Sequence, residues 1–255
     1  MVWGTFIMPI TIDDYDFIAQ TSTPLTVSLG SSANINRKIV ALVTAIHESS
    51  NIGVNNVYLK QGEVTIGSFT PVINTSGELF IGGEAQFAYL RTWIGFFDAV
   101  PASATLSVVA YLSTTPYYAA LGAYALSYCK SGALDDTDSA TANHGTPPTT
   151  ISLSLSPNED ASIHLTNVLA SYVDTSLLCG GGGTRDAYDH SSILFSEGYF
   201  DIWHAIGHEI RSSSSTDTIT WYDVGNDITA ISGGVNIGFS DVLAVKGGPF
   251  LPNLC

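Results

Sequence analysis

Residues 199–212 read YFDIWHAIGHEIRS, and the fold turns on whether this stretch is a helix or a strand. On a helix, His204 and His208 are neighbours one turn apart, close enough to share a metal. A zinc-protease helix places Glu directly after the first His, with the second His four residues on. Here Ala205 follows His204 and Glu209 follows His208, so the pattern is not met. On a strand, a rise of about 3.3 Å per residue separates positions i and i+4 by roughly 13 Å. Ligands that sit about 2 Å from zinc cannot then converge. Ile202, Ile206 and Ile210 alternate with Asp201, Trp203, Ala205 and Glu209, which predicts a strand with His204 and His208 on the isoleucine face. His190, reached through a glycine-rich segment, is the nearest candidate partner for either.

The rest of the chain supports the strand reading. Of 255 residues, 45% are hydrophobic and only 12% are charged. Ser, Thr, Asn and Gly must therefore cover much of the surface, which suits strands joined by polar turns better than long solvated helices. Runs rich in β-branched and aromatic residues recur at 38–46 (KIVALVTAI), 86–98, 104–112, 118–128, 149–156, 160–173, 216–224 and 238–246. In TTISLSLS (149–156), Ile151, Leu153 and Leu155 alternate with Ser152, Ser154 and Ser156. Residues 117–128 have some helical propensity, but Gly122 and the aromatics favour a tightly packed central strand. No segment sustains helical apolar spacing behind a cap. The stretches 73–85, 131–148 and 179–192 read as long connections, the last with four consecutive glycines. No fixed-period repeat and no composition break stand out. The expectation is an all-β fold: an antiparallel two-sheet sandwich, jelly-roll-like, with long loops and little helix. One sandwich domain is expected over 37–255, with an N-terminal arm or extension over 1–36.

Charge narrows the function. Eight basic against 23 acidic residues give a net charge of −15, which disfavours nucleic acid and anionic membranes as partners. The N-terminal stretch MVWGTFIMPITIDDYDF has no basic start and is interrupted by Pro9, so it does not read as a secretory signal. No run approaches the 18 apolar residues of a membrane span. Cys129, Cys179 and Cys255 form no CxxC pair and read as free or buried thiols. Asp13, Asp14 and Asp16, and again Asp135, Asp136 and Asp138, are clustered carboxylates without an EF-hand pattern, expected as solvated acidic loops. GGGGT (180–184) lacks the lysine of a phosphate-binding loop. GFSDV (238–242) lacks the glycine frame of a nucleophile elbow. Asn74-Thr75-Ser76 fits a glycosylation sequon. Tyr117, Tyr118, Tyr188 and Tyr199 are candidates for stacking on sugar rings or for packing. The sequence singles out no catalytic, cofactor-binding or metal-binding residue, and the chain is expected not to be an enzyme.

The succession RKIVALVTAI, VPASATLSVV (100–109), ALGAYALS (120–127), TTISLSLSPNEDASIHLTNVLASYV, a glycine-rich loop, TDTITWYDVGND and GFSDVLAVKGG resembles a family of β-sandwich structural proteins. Members occur in tailed-phage virions and in large bacterial surface proteins. The likeness spans about residues 37–247. It departs where that family carries a Gly-Val-Asp-like motif: Tyr128, Cys129 and Lys130 stand there, and only Asp135 or Asp136 matches the later Asp. The resemblance implies a non-enzymatic virion protein, either an exterior head decoration (cement) or a tail or fibre component. It would be assembled in the host cytoplasm and carried on the extracellular particle. Its partners would be copies of itself, as a symmetric homo-oligomer such as a trimer, and other virion proteins. The alternative is a carbohydrate-binding or adhesin module that recognises host glycans. A hydrolase on the same scaffold is the third reading, and no pair of carboxylates is marked out for it.

Overall fold

The computed structural model describes residues 10–48, 51–81, 86–98, 100–102, 104–142, 150–156, 162–171, 178–195, 198–211, 215–222 and 229–238. Among them every regular element is a strand. The first nine are β1 (Thr11–Gln20), β2 (Leu25–Leu29), β3 (Lys38–His47), β4 (Val54–Gln61), β5 (Val64–Ser68), β6 (Thr70–Ile81), β7 (Gln86–Phe97), β8 (Leu106–Leu112) and β9 (Tyr118–Ser127). The remainder are β10 (Asp136–Ala142), β11 (Thr150–Leu155), β12 (Ser162–Ser171), β13 (Leu178–Gly180), β14 (Thr184–Phe195), β15 (Gly198–Arg211), β16 (Asp217–Tyr222) and β17 (Thr229–Gly238).

These strands form four antiparallel sheets that stack as layers. Two are five-stranded, with orders β1-β9-β3-β7-β6 and β10-β17-β12-β15-β14. They lie face to face in the middle of the molecule. Val40, Leu42, Ile94, Phe96 and Tyr124 of the first meet Ile163, Leu165 and Ile206 of the second. On its other side the first sheet is covered by β2-β8-β4-β5, with Ile39, Ala41, Val43, Leu121 and Ala123 packed on Val27, Leu59 and Val108. The second is covered by β11-β16-β13, with Val168, Trp203 and Ala205 packed on Ile151 and Trp221.

Layering explains the two kinds of strand. β3, β9 and β12 lie between two layers, so both faces need apolar or small side chains. β2 and β11 belong to outer sheets and alternate strictly between buried and exposed. Burying one Leu, Ile or Val side chain contributes roughly 1.5–3 kcal/mol, so the three interlayer cores dominate the stability. Ala and Gly in β9 let the central sheets approach. A Cβ at Gly122 would come within 2.7 Å of the Ile206 side chain.

The sandwich expected from the sequence is present twice. Strand order in the second half repeats that of the first: β1, β9, β3, β7 and β6 correspond to β10, β17, β12, β15 and β14. β2, β8 and β4 correspond to β11, β16 and β13. Each half is a jelly roll. The correspondence reaches single residues. The register of β6 slips opposite Gly95, between Pro71 and Ile73. That of β14 slips opposite Gly207, between Arg185 and Ala187. In both places an isoleucine precedes the glycine, and a Cβ on the glycine would lie 2.8 Å from the Thr70 carbonyl or 2.6 Å from the Thr184 carbonyl. The halves face each other about a roughly two-fold axis: β3 lies over its counterpart β12, and β1 over β14 matches β6 over β10, while β7 over β17 has no equally close counterpart between β9 and β15.

Several expectations are corrected. Residues 11–29, expected as part of an N-terminal arm, supply β1 and β2. β1 pairs with β9 and β2 with β8, so residues 11–29 are built into the first jelly roll. The expected connections at 73–85, 131–148 and 179–192 contain most of β6 and the whole of β10, and reach into β13 and β14. β4 and β5 lie in 54–68, where no strand was read. The repeat was missed because it is one of topology and of a few key residues, not of overall sequence.

Candidate functional site

β15 carries the stretch that opened the question. Its side chains alternate as expected: Ile202, His204, Ile206 and His208 face the first half, while Trp203 and Ala205 face the outer sheet. His204 is fully buried, with Nδ1 2.8 Å from the Thr44 hydroxyl and its ring 5.0 Å from that of Tyr118. Burial pushes its pKa down to about 3, so it is neutral at physiological pH. Beside it, the Thr92 hydroxyl donates to the Asn167 side chain at 2.9 Å, and Asn167 donates to the Val43 carbonyl at 3.4 Å. These groups form a polar seam between two apolar clusters of the central interface, one around Leu42 and Tyr124 and one around Ile46 and Leu169. His204 Nε2 finds no hydrogen-bond partner among the described residues, but the paired groups of the seam fix how one sheet sits on the other.

The other histidines go elsewhere. His208 Nδ1 lies 2.8 Å from both Asp186 carboxylate oxygens, and Asp186 also accepts the Tyr124 hydroxyl. Asp186 occupies the slipped position of β14, which turns its carboxylate inward. Burial and Asp186 together hold the Tyr124 phenol well above its usual range. Tyr118 donates to Asp189, and burial plus that bond push its pKa up to about 12. His190 stacks on Trp203 with ring centroids 4.4 Å apart, on the opposite face of the sheet from His204. His190, His204 and His208 therefore do not converge. Among the described residues no group of three or more His, Cys, Asp or Glu side chains is placed to hold a metal ion.

The two acidic clusters are corresponding parts of the two halves, and both lie on strands or at their ends. Asp14 and Asp16 each accept their own following backbone N–H, at 2.9 and 2.8 Å. Their second oxygens accept Gly30 N–H at 2.5 Å and Ser28 N–H at 2.9 Å. Asp136 and Asp138 repeat this: each takes its following N–H at 2.8 Å, and they accept Ser156 at 2.7 Å and Ser154 at 2.8 Å. The carboxylates thus bracket the inner edge strand to the outer one in each sandwich. Asp13, more buried, receives the Ser127 hydroxyl and the Asn34 amide at 2.9 Å. Its burial would raise its pKa, but these hydrogen bonds outweigh that and lower it. The expectation of solvated acidic loops is corrected: strands or their ends hold these groups, backbone N–H groups bind Asp14, Asp16, Asp136 and Asp138, and side chains bind Asp13 and Asp135.

The glycine run is a closely approached turn. Gly181 and Gly182 adopt φ of 72° and 93°, and a Cβ on Gly182 would lie 2.6 Å from Glu209 Oε1. Glu209 is held by Arg211 at 2.8 Å and lies 3.8 Å from His164. Burial raises the Glu209 pKa. Burial, then Arg211, lowers that of His164 to about 4. Cys129 and Cys179 are free thiols, and burial pushes both up to about 12, which keeps them protonated and unreactive. Cys255 and most of GFSDV lie outside the described residues. Asn74 sits on β6, where its side chain accepts Arg91 at 3.1 Å. Of the four tyrosines, Tyr188 and Tyr199 are exposed. Tyr118 is buried, and Tyr117 is half-buried and donates to Glu48.

These titratable groups mostly hold layers together. The sequence offered one overlooked signal for this: Ile12-Asp13-Asp14-Tyr15-Asp16 and Leu134-Asp135-Asp136-Thr137-Asp138 have the same form, and each is followed by a serine-containing alternating strand. Compared with known proteins, the chain matches no family model and no curated sequence.

Proposed function

We propose that the chain is a non-enzymatic structural protein of a tailed-phage virion, an exterior head decoration or a tail or fibre component that acts through contacts between subunits. The observation that carries this reading is the combination of a stiff four-layer stack with open sheet edges. β5 ends one outer sheet, and its Val64 is 66% exposed at that edge. An unpaired edge offers a row of backbone donors and acceptors to a neighbouring subunit. The low share of charged residues, 12%, reduces the desolvation cost of such lateral contacts. Mass spectrometry of purified particles tests the reading. Hundreds of copies per particle place the protein on the head, a few to a few dozen place it on the tail, and absence from particles overturns the proposal. Val64→Lys at the β5 edge is expected to change stability by less than about 0.5 kcal/mol, while lowering incorporation.

A second reading, a carbohydrate-binding or adhesin module, is favoured by one specific observation: Tyr188 and Tyr199 lie on the same outward face of the second half. Binding of the isolated protein to a glycan array tests it.

A further inference from the structure

β14 and β15 form a hairpin in which Tyr188 pairs with Ala205, His190 with Trp203, Ser192 with Asp201 and Leu194 with Tyr199. All eight side chains share the face turned away from the central interface. Tyr188 is 52%, Leu194 56% and Tyr199 73% exposed, so large apolar surface concentrates on this one hairpin face. Polar groups are interleaved with it. The Ser192 hydroxyl donates to Asp201, and His190 Nε2 lies 3.5 Å from the same carboxylate.

The first half serves as an internal control. Counting from the corresponding glycines, Gly95 and Gly207, the positions of Tyr188, His190, Ser192, Leu194, Tyr199, Asp201, Trp203 and Ala205 are taken there by Asn74, Ser76, Glu78, Phe80, Phe87, Tyr89, Arg91 and Trp93. Arg91 donates to the Ile52 carbonyl and the Asn51 side chain, both at 2.8 Å. The first half is thus polar at the places of Tyr188, His190, Ser192 and Trp203 but aromatic at those of Leu194, Tyr199 and Asp201, so the Tyr188–Trp203–His190 cluster is the part of the strip that the fold does not require.

We infer that the outer face of the β14–β15 hairpin binds a neutral saccharide, with Tyr199 as the stacking platform and Asp201 and Ser192 as hydroxyl partners. The inference rests on the carbohydrate-binding reading above. A sugar ring presents an apolar C–H face and a rim of hydroxyls. The strip matches this with rows of apolar and polar side chains recurring about every 7 Å along the hairpin. Tyr188, Trp203 and His190 form a pre-set wall beside the platform: Tyr188 and His190 each stack on Trp203 with ring planes 17° apart. An organic cation is disfavoured at Tyr188, because the Arg185 guanidinium already lies over that ring, 4.1 Å from its centroid. Charge selects the ligand further. Asp201, with its side chain 54% exposed, and a chain of net charge −15 repel phosphorylated or acidic sugars, while an O–H rim complements a carboxylate acceptor.

The test is a printed array of neutral and anionic oligosaccharides probed with the intact protein, followed by calorimetric titration of each hit. Tyr199→Ala and Asp201→Ala alter exposed side chains, and circular dichroism checks their folding. Neutral glycans are expected to bind, each substitution is expected to weaken binding at least tenfold, and Val64→Ala on the distant β5 edge is expected to leave it unchanged. If neutral glycans bind but both face variants keep wild-type affinity, this site is wrong and the broader carbohydrate reading survives. Absence of glycan binding removes both. Preference for anionic glycans, or a face that captures a protein partner instead, overturns the inference alone.

Discussion

The two jelly rolls differ most where the first has a strand and the second has a turn. In the first half β5 follows β4 as a fourth strand of the outer sheet, and Gly67 of β5 lies against Phe97. In the second half the outer sheet stops at the three-residue β13, and Gly182 of the glycine turn lies against Glu209. Phe97 and Glu209 stand at the same place, two residues beyond Gly95 and Gly207. A phenyl ring under a strand has been exchanged for a carboxylate under a bare backbone turn, with Arg211 supplying the counter-charge. The difference shows what the fold demands at this corner. It needs close cover over the end of the β7 or β15 strand, and either side-chain chemistry serves if its own partner is present.

Three experiments would break or sharpen this equivalence. The largest effect is expected at the glycines opposite the register slips. Gly95→Val and Gly207→Val each force a side chain against a backbone carbonyl and are expected to cost roughly 3–5 kcal/mol in urea unfolding. Similar losses support equivalent roles; a large loss at one and none at the other would dissolve the correspondence. Next is acid sensitivity at the central seam, which at this position belongs to the second half. Thr92 stands where the second half has His204 and does not titrate. His204 has its pKa depressed to about 3 in the fold, against the ordinary histidine value of 6.5. The unfolded chain therefore binds the extra proton between these values, so stability is fully present above pH 6.5 and lost as pH falls toward 3. His204→Gln is expected to flatten that acid limb by roughly 2–4 kcal/mol. An unchanged slope would mean that the acid response lies elsewhere. The smallest effect is at the brackets. Asp16→Asn and Asp138→Asn each replace a charged acceptor of two backbone N–H groups with a neutral one and are expected to cost about 1–2 kcal/mol. Unequal costs would show that only one half relies on its bracket.

The fold class was legible because the central strands, apart from β9 with its helical propensity, leave no ambiguity. KIVALVTAI must be covered on both faces, and IleSerLeuSerLeu can be amphipathic only with a period of two. The faces of His204 and His208 followed from the same period. What escaped were strands whose polar side chains find partners far along the chain. Asp136 and Asp138 read as loop residues until Ser154 and Ser156 are seen to donate to them. Asn74-Thr75-Ser76-Gly77 reads as a turn, yet it lies on β6 at a sheet edge, where a polar outward face costs nothing. The partners of His204 and Asn167 are likewise non-local: Thr44 lies 160 positions from the first, and Thr92 lies 75 from the second. No local pattern announces such pairs.

Since β3 rests on its counterpart β12, the chain carries both sides of a roughly two-fold contact on one polypeptide. Docking of one half on the other is therefore a first-order event, set by the length of the tether and indifferent to dilution. A particle or surface built from this unit starts with its first pairwise contact already made. Each half is also free to drift on its outward side without losing its mate.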